Sequence, residues 1–456
     1  MIGGASIDPD STTPGFAQAV NIFPNQAAGS DVRASDNFAL PAPPATPTLT
    51  PQADRAFGAI NLFDPNFRQP YVSQTNFTLQ HEVLRNTVIE AGYVSNRAIK
   101  QVLDQNVNQT RVYGGFLNDF RELQAFQANA TPTSAGNVLT RMFGSPTAAI
   151  NAIGATPVRQ GSLGAAANTI DTSNFTRYAN AGVSQFYLRN FPQFTNVILT
   201  TNAGRTYYDS FQFSLRRQVG ALRGAVNYTW SKTIDNASAD GSGTTGNFDN
   251  YNLSLSRGLS DIDRPHTINW SSSYVLPIGK GKLIGGNMPD WLDRIGAGWE
   301  VGSLGFWTSG QPLNISSGLT TGPNNAVNSN ANYSGTDRSI GKVERFGGGV
   351  RFFTPEQLAL FSVPAAGSVG NSGRNSFRGP GFFNTDLSIV KRFRLAERKF
   401  ITFRSEAYNL LNTVNFLAPS LSLQTPQTFG VISGTPTGAS NQSGARILQF
   451  ALRFDF

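Results

Sequence analysis

Along much of this chain apolar side chains recur at every second residue. In NFTLQHEV, Phe77, Leu79 and Val83 share one parity, while Asn76, Thr78, Gln80 and Glu82 share the other. A period of two is that of a β-strand whose two faces differ in polarity. After LRN the alternation resumes in TVIEAGYV, with Ile89, Ala91 and Tyr93 opposite Glu90, so the two segments predict a hairpin with a tight turn. SFQFSLRRQ (Phe211, Phe213 and Leu215 against Gln212, Ser214 and Arg216) and RGAVNYTWSK (Val226, Tyr228, Trp230) form a second pair across VGAL. HTINWSSSYVL brings Ile268, Trp270, Tyr274 and Leu276 together. GWEVGSLGFWTSG leaves its faces undecided, because Leu304 and Phe306 oppose Trp299, Val301 and Trp307. FNTDLSIVKRF and KFITFRSEAYNLLN flank the turn LAER. ARILQFALRFDF then carries Leu448, Phe450, Leu452, Phe454 and Phe456 on one parity. The count is about nine strands.

Short and long connections alternate between them. Residues 97–205 hold a connection far beyond ordinary loop length, with short helices expected around FLNDFRELQAFQANA. Residues 235–263 form a polar loop, and 310–376 a further loop with a short strand expected at PLNIS.

An alternating strand turns its apolar face either to a soluble core or to lipid, and the charges bear on which. On a lipid-facing strand an Arg or Lys at mid-depth costs roughly 2 to 4 kcal/mol, whereas an inward one meets water. Glu82, Glu90, Arg216, Asp386, Arg404, Glu406 and Arg453 all fall on the polar parity and are expected to face a lumen. Lys232, Lys391, Lys399 and Arg446 are exceptions at strand ends, where long side chains reach the interface, and His81 lies two residues from a turn. Trp230, Trp270, Tyr274, Trp299 and Trp307 lie where an aromatic girdle is expected. A soluble sandwich would also keep charges off its core. The alternation of short turns with long loops favours the outer-membrane barrel.

Composition narrows the choice further. Charged residues are 14% of the 456, against roughly 25% in an ordinary soluble chain, while 34 Phe and 46 Gly suit an all-β protein. No apolar run approaches the roughly 18 residues of a membrane helix, so a membrane reading requires a closed barrel. The net charge of +8 is dispersed and forms no basic run, which argues against nucleic acid as a partner. Cysteine is absent, excluding disulfides and thiolate metal sites. MIGGASIDPDSTTPGF lacks the basic and apolar regions of a secretory signal. Either the protein is cytoplasmic or its beginning is missing.

The strand count decides for the second. With the last strand ending in the periplasm, LRN, VGAL and LAER all fall on that side, and an odd number of strands cannot close an antiparallel barrel of the usual even kind. The expectation is therefore the carboxyl-terminal part of a longer barrel, with Met1 not the natural start. Residues 1–69 are expected as an extracellular, irregular lead-in and 70–456 as barrel strands.

FDPNFRQPYVSQTNFTLQHEVLRNTVIEAGYVSNR, YYDSFQFSLRR with NYTWSKTID, SDIDRPHTINWSSSYVLPIGKGK, FRSEAYNLLNTVNF and the terminal strand, in this order from about residue 62 to 456, resemble the Oar-like TonB-dependent transporter barrels abundant in acidobacteria. The resemblance implies an antiparallel transmembrane barrel of about 22 strands with a plugged lumen. It also implies a preceding plug with a TonB box, an immunoglobulin-like domain before that and a signal peptide, none of which is in this sequence. The implied partners are outer-membrane lipid, the missing plug and through it TonB, and an extracellular ligand. In outer-membrane proteins generally, a terminal aromatic strand such as Leu448 to Phe456 is read by the barrel assembly machinery. Two rivals stay open: an adhesion or protein-export barrel, and a soluble all-β binding protein.

Candidate chemistry is sparse. His81 and His266 lie in different strands, and a metal site needs further ligands. Asp235, Asp240 and Asp249 could offer oxygens to Ca²⁺, but their spacing matches no EF-hand and a solvated loop is the plainer reading. SIVK (Ser388 to Lys391) matches S-x-x-K in letters only, since a strand sends Ser388 and Lys391 to opposite faces. GAGWEVG lacks G-x-G-x-x-G spacing and opens a strand. No enzyme, cofactor or metal is expected. Ligand contact is expected from the long loops, where Tyr113, Phe116, Phe120 and Phe126 make either an aromatic landing surface or a helix packed on other loops.

Overall fold

A computed structural model describes residues 57–236, 247–396, 398–436 and 444–456. Nine long strands form one antiparallel wall: β1 Tyr71–Leu84, β2 Thr87–Asn106, β3 Phe194–Val219, β4 Leu222–Asp235, β5 His266–Val275, β6 Trp299–Thr308, β7 Phe382–Arg394, β8 Phe400–Tyr408 and β9 Ile447–Asp455. Their order in the sheet is their order in the chain. They are the nine segments that the alternation selects. Among the described residues β1 and β9 stand at opposite edges, so the wall is open and not a closed cylinder.

Strand length is where pattern and structure differ. β2 spans 20 residues and β3 spans 26, roughly twice the 9–11 that cross a membrane. Their outer halves pair as far as Asn106 opposite Ile198, through bulges on either side of Gln101. Within the segment expected as an irregular lead-in, Phe57–Phe63 forms a strand that pairs in parallel with β3 from Phe194 to Thr200. The two-residue strand Pro312–Leu313 pairs with Phe377–Arg378, matching the short strand expected at PLNIS.

At one end of the wall the connections are short. Asn86 (φ 56°) and Gly220 (φ 53°) adopt the left-handed conformation that Asn and Gly tolerate best, and each closes a hairpin there. Residues 276–298, which include a short helix, and the 395–399 turn lie at the same end. At the other end, residues 107–193 fold into helices α1 Gly115–Asn129, α2 Val138–Phe143, α3 Pro146–Ile153, α4 Ala155–Gln160 and α5 Leu163–Ser173. Only the first was expected. α1 is alternately greasy and polar at helical spacing, whereas the others are shorter, and of these α2 and α3 start on side-chain caps. Ser145 accepts from the Ala148 amide and Asn137 from the Thr140 amide.

The hydrophobic cores lie in this end assembly and not between sheets. One gathers Phe116, Phe120, Leu123, Leu139, Leu163 and Ile170. The other gathers Leu313, Ile315, Phe353, Phe361, Phe377 and Phe429. Arg121 donates to the Ala366 carbonyl at 2.9 Å, the Gly164 amide to Thr320 at 2.9 Å, and Asn324 to Asn247 at 2.7 Å. These contacts join three long connections into one cap.

Candidate functional site

Register fixes which side chains share a face of the wall. Phe77 lies opposite Tyr93, Tyr93 opposite Phe211 and Phe211 opposite Trp230. The same face continues through Trp230–His266, Ile268–Trp307, Tyr274–Val301 and Lys391–Phe403 to Phe403–Leu452. Trp230, Trp270, Tyr274, Trp299 and Trp307 therefore share one face with Leu448, Phe450, Leu452 and Phe454. The ambiguity in β6 is resolved, because its register sends Trp299, Val301 and Trp307 to this face and Leu304 and Phe306 to the other. No second sheet covers it: Phe450 is 67% and Leu452 73% exposed. Trp270 lies flat over Gly305, where any Cβ would collide with its ring. Tyr228 stacks on His266 and shares a 2.8 Å hydrogen bond with its Nδ1. His266 is thus part of an aromatic cluster, and the described residues contain no group of metal-ligating side chains.

The opposite face carries the ionised groups. Glu82, Glu90, Arg216, Asp386, Arg404, Glu406 and Arg453 all have this parity in the observed register. Arg216 pairs with Glu90 at 3.0 Å, Arg404 with Glu406 at 3.7 Å and Arg453 with Asp455 at 2.7 Å. Glu82 accepts the Asn86 amide at 2.6 Å and Asp386 the Asn409 amide at 2.8 Å, so these two also organise strand ends. Leu304 is an exposed apolar residue among them. Ser388 belongs to this face and Lys391 to the aromatic one, as a strand requires of S-x-x-K.

Several charged groups escaped the sequence reading. Arg97 and Asp209 have aromatic-face parity, yet they form an ion pair at 2.8 Å. The lengths of β2 and β3 account for this, because the pair sits roughly ten residues along each strand from its short-hairpin end, where the 9–11 residues of a crossing run out. Arg374 with Asp235 and Arg378 with Asp263 join connections more than a hundred residues apart. No local signal in the sequence announces such pairs. They correct one expectation: Asp235 and Asp249 are buried, the first held by Arg374 and the second hydrogen-bonded by Gln109, so neither belongs to a solvated loop. Asp240 lies outside the described residues. The aromatic quartet also divides. Phe116 and Phe120 are buried in the cap core with Phe126 packed against it, and Tyr113 alone is exposed.

A model of the outer membrane beta barrel domain matches residues 2–449. The chain belongs to that family. It is accordingly a protein of the outer membrane, which sets aside the soluble reading. No curated protein matches the chain. Among solved structures it is similar to the outer membrane transporter YddB from Escherichia coli, at 9% identity and a TM-score of 0.33 over 87% of this chain and 33% of that one. The chain thus spans about a third of that protein's length.

One group in the cap titrates in an accessible range. Burial pushes the Asp119 carboxyl on α1 up to about 6, against the lowering effect of the Val138 amide that donates to it. A carboxyl with a raised folded-state pKa is a source of stability when protonated, and that stability is lost as pH rises from about 4 through about 6. Glu122 works the other way, held low chiefly by Asn137 and stabilising at higher pH. Asp119→Asn is expected to slow proteolysis of residues 107–193 at pH 7.5, by on the order of 1 kcal/mol for a half-buried group, with no gain at pH 4. Cleavage rates at the two pH values check this.

Proposed function

We propose that this chain is the carboxyl-terminal part of the barrel of a TonB-dependent transporter of the Oar-like type that its motifs resemble. The complete protein would take up a bulky ligand, driven by the inner-membrane proton gradient through TonB and a plug. The observation that carries the reading is an ionised wall face lying beneath a cap of folded loops. Such a face suits a wet, wide lumen, and loops on a rigid scaffold suit capture. The uncovered aromatic face is assigned to lipid. Among the described residues both edges of the nine-stranded wall have unpaired backbone, which lipid does not tolerate, so further strands are assigned to complete the cylinder. By the rule for such barrels the short-turn end is periplasmic and the cap extracellular. The terminal face of Leu448, Phe450, Leu452, Phe454 and Phe456 is assigned to recognition by the assembly machinery. No catalytic step, cofactor or metal is assigned, and no nucleic acid.

A second reading, an adhesion barrel, is favoured by one feature: Tyr113, Phe186 and Phe191 are exposed aromatics in the 107–193 segment. Uptake by cells carrying the complete gene separates the two, using a siderophore, cobalamin, a glycan fragment and a peptide, each with and without a protonophore. Transport predicts that one ligand accumulates only with the gradient, and that deleting residues 107–193 abolishes this. Accumulation of none would sink the transport reading. Gradient-independent attachment to cells or matrix would favour adhesion.

A further inference from the structure

Residues 276–298 are the exception among the short-turn connections. They fold into an excursion ending in α6 Asp290–Gly296. At 100° per residue Trp291, Leu292 and Ile295 fall within about 100° of arc, with Asp290 and Asp293 on the far side. Lys280 holds that far side, through an ion pair to Asp290 at 2.6 Å and an amide that donates to Asp293 at 2.5 Å. The apolar side is left uncovered. Trp291 is 65% exposed and Leu283, earlier in the same excursion, 87%.

Two side chains place the excursion on the lipid side of the wall. Trp299 donates from Nε1 to the Ile295 carbonyl at 3.0 Å, and Lys391 donates from Nζ to the Ala297 carbonyl. Trp299 and Lys391 both belong to the aromatic face, so α6 extends that face beyond the strands and does not lie under the lumen. Between α6 and the β7–β8 turn lies a cleft of about 560 Å³ lined by Arg294, Lys391, Phe393 and Leu395. Arg392 and Arg394, which have the parity of the ionised face, also border it where β7 runs out into the turn. Asp293 also touches it, but that carboxylate is engaged by the Lys280 amide. The sequence from Lys391 to Lys399 holds five basic residues against one acidic residue.

We propose that this excursion is an inner-leaflet docking element for phospholipid. Trp291, Leu292 and Ile295 enter the boundary of the acyl region, and the cleft receives a lipid phosphate between Arg294 and Arg394. An aromatic and aliphatic surface continuous with the lipid face, edged by cations, is the chemistry that membrane interfaces select. The inner leaflet follows from the orientation proposed above, whereas contact with lipid follows from the aromatic face alone.

The absence of cysteine makes Leu292→Cys the sole thiol, open to labelling with the dye NBD. In vesicles of phosphatidylethanolamine and phosphatidylglycerol, spin-labelled lipid is expected to quench this probe about threefold more than one at Tyr113→Cys, with iodide having little effect. Iodide quenching equal to that at Tyr113→Cys would overturn the proposal. So would protection from both quenchers, which would mean a protein cover. Both leaflets of the vesicle are alike, so this outcome stands apart from the orientation and the transport reading. Arg294→Glu with Arg394→Glu should reduce the phosphatidylglycerol retained on detergent-purified protein about tenfold. Unchanged retention would overturn the phosphate assignment. A retained heat-sensitive gel shift certifies that each variant is folded.

Discussion

Phe450→Arg is expected to destabilise the membrane-inserted wall by about 2 to 4 kcal/mol, the largest single effect foreseen for a wall strand. Phe450 lies midway along β9, on the aromatic face and opposite Ser405. Neither Ser405 nor its flanking neighbours on that face, Phe403 and Ala407, offers an anion. An arginine there must bend its side chain toward the interface or thin the lipid around it. Gln449→Arg, one residue away, meets Glu406 across the pair on the ionised face and should be neutral or mildly stabilising. Urea midpoints of the two variants in lipid vesicles, read by loss of heat-sensitive gel mobility, make the comparison. Equal midpoints would mean that the two faces do not differ in solvent, and the membrane reading of the wall would fail with them.

The second large effect belongs to the cap. Arg189 is buried with Asp171: its Nε meets the carboxylate, Nη1 donates to the carbonyls of Asn108 (2.9 Å) and Thr195, and Nη2 donates to Asn168 (3.1 Å). One guanidinium thereby ties α5 to the outer ends of β2 and β3. Arg189→Ala withdraws the cation from a buried carboxylate and leaves two carbonyls short of a donor. The expected cost is about 3 to 5 kcal/mol. Arg189→Lys should restore little, since an ammonium cannot reproduce a planar fork with four partners. Limited proteolysis should show rapid cleavage within 107–193 while the wall keeps its heat-sensitive mobility. A cap that stays resistant would show that its two apolar cores hold it without the ion pair.

The wall was legible because its signal is local. Alternation needs only neighbouring residues, and a wall with an apolar face and an ionised face imposes it along most of each strand. Hence the seven ionised residues share one face of the wall and Trp230, Trp270 and Tyr274 the other, as parity alone sorts them. β6 was ambiguous for the same reason, since apolar residues occur at both parities, and only pairing with β5 assigned them. The lengths of β2 and β3 were not legible, because bulges on either side of Gln101 break the alternation while the hydrogen-bond ladder continues.

The cap was almost wholly illegible. Its short helices bury small residues such as Ala149, Ala166 and Ala167, which give little periodic contrast. Its decisive polar contacts, Asp235 to Arg374 and Asp263 to Arg378, span more than a hundred residues of chain. By itself the sequence determined the strands, their order and the division of each into an apolar and an ionised face, because these follow from a period of two and the choice of solvent. Only the tertiary structure decided the folding of the long connections into one cap, the burial of their carboxylates and the placing of α6 beside the aromatic face. Those outcomes depend on which distant segments meet, and no neighbour in the sequence records that.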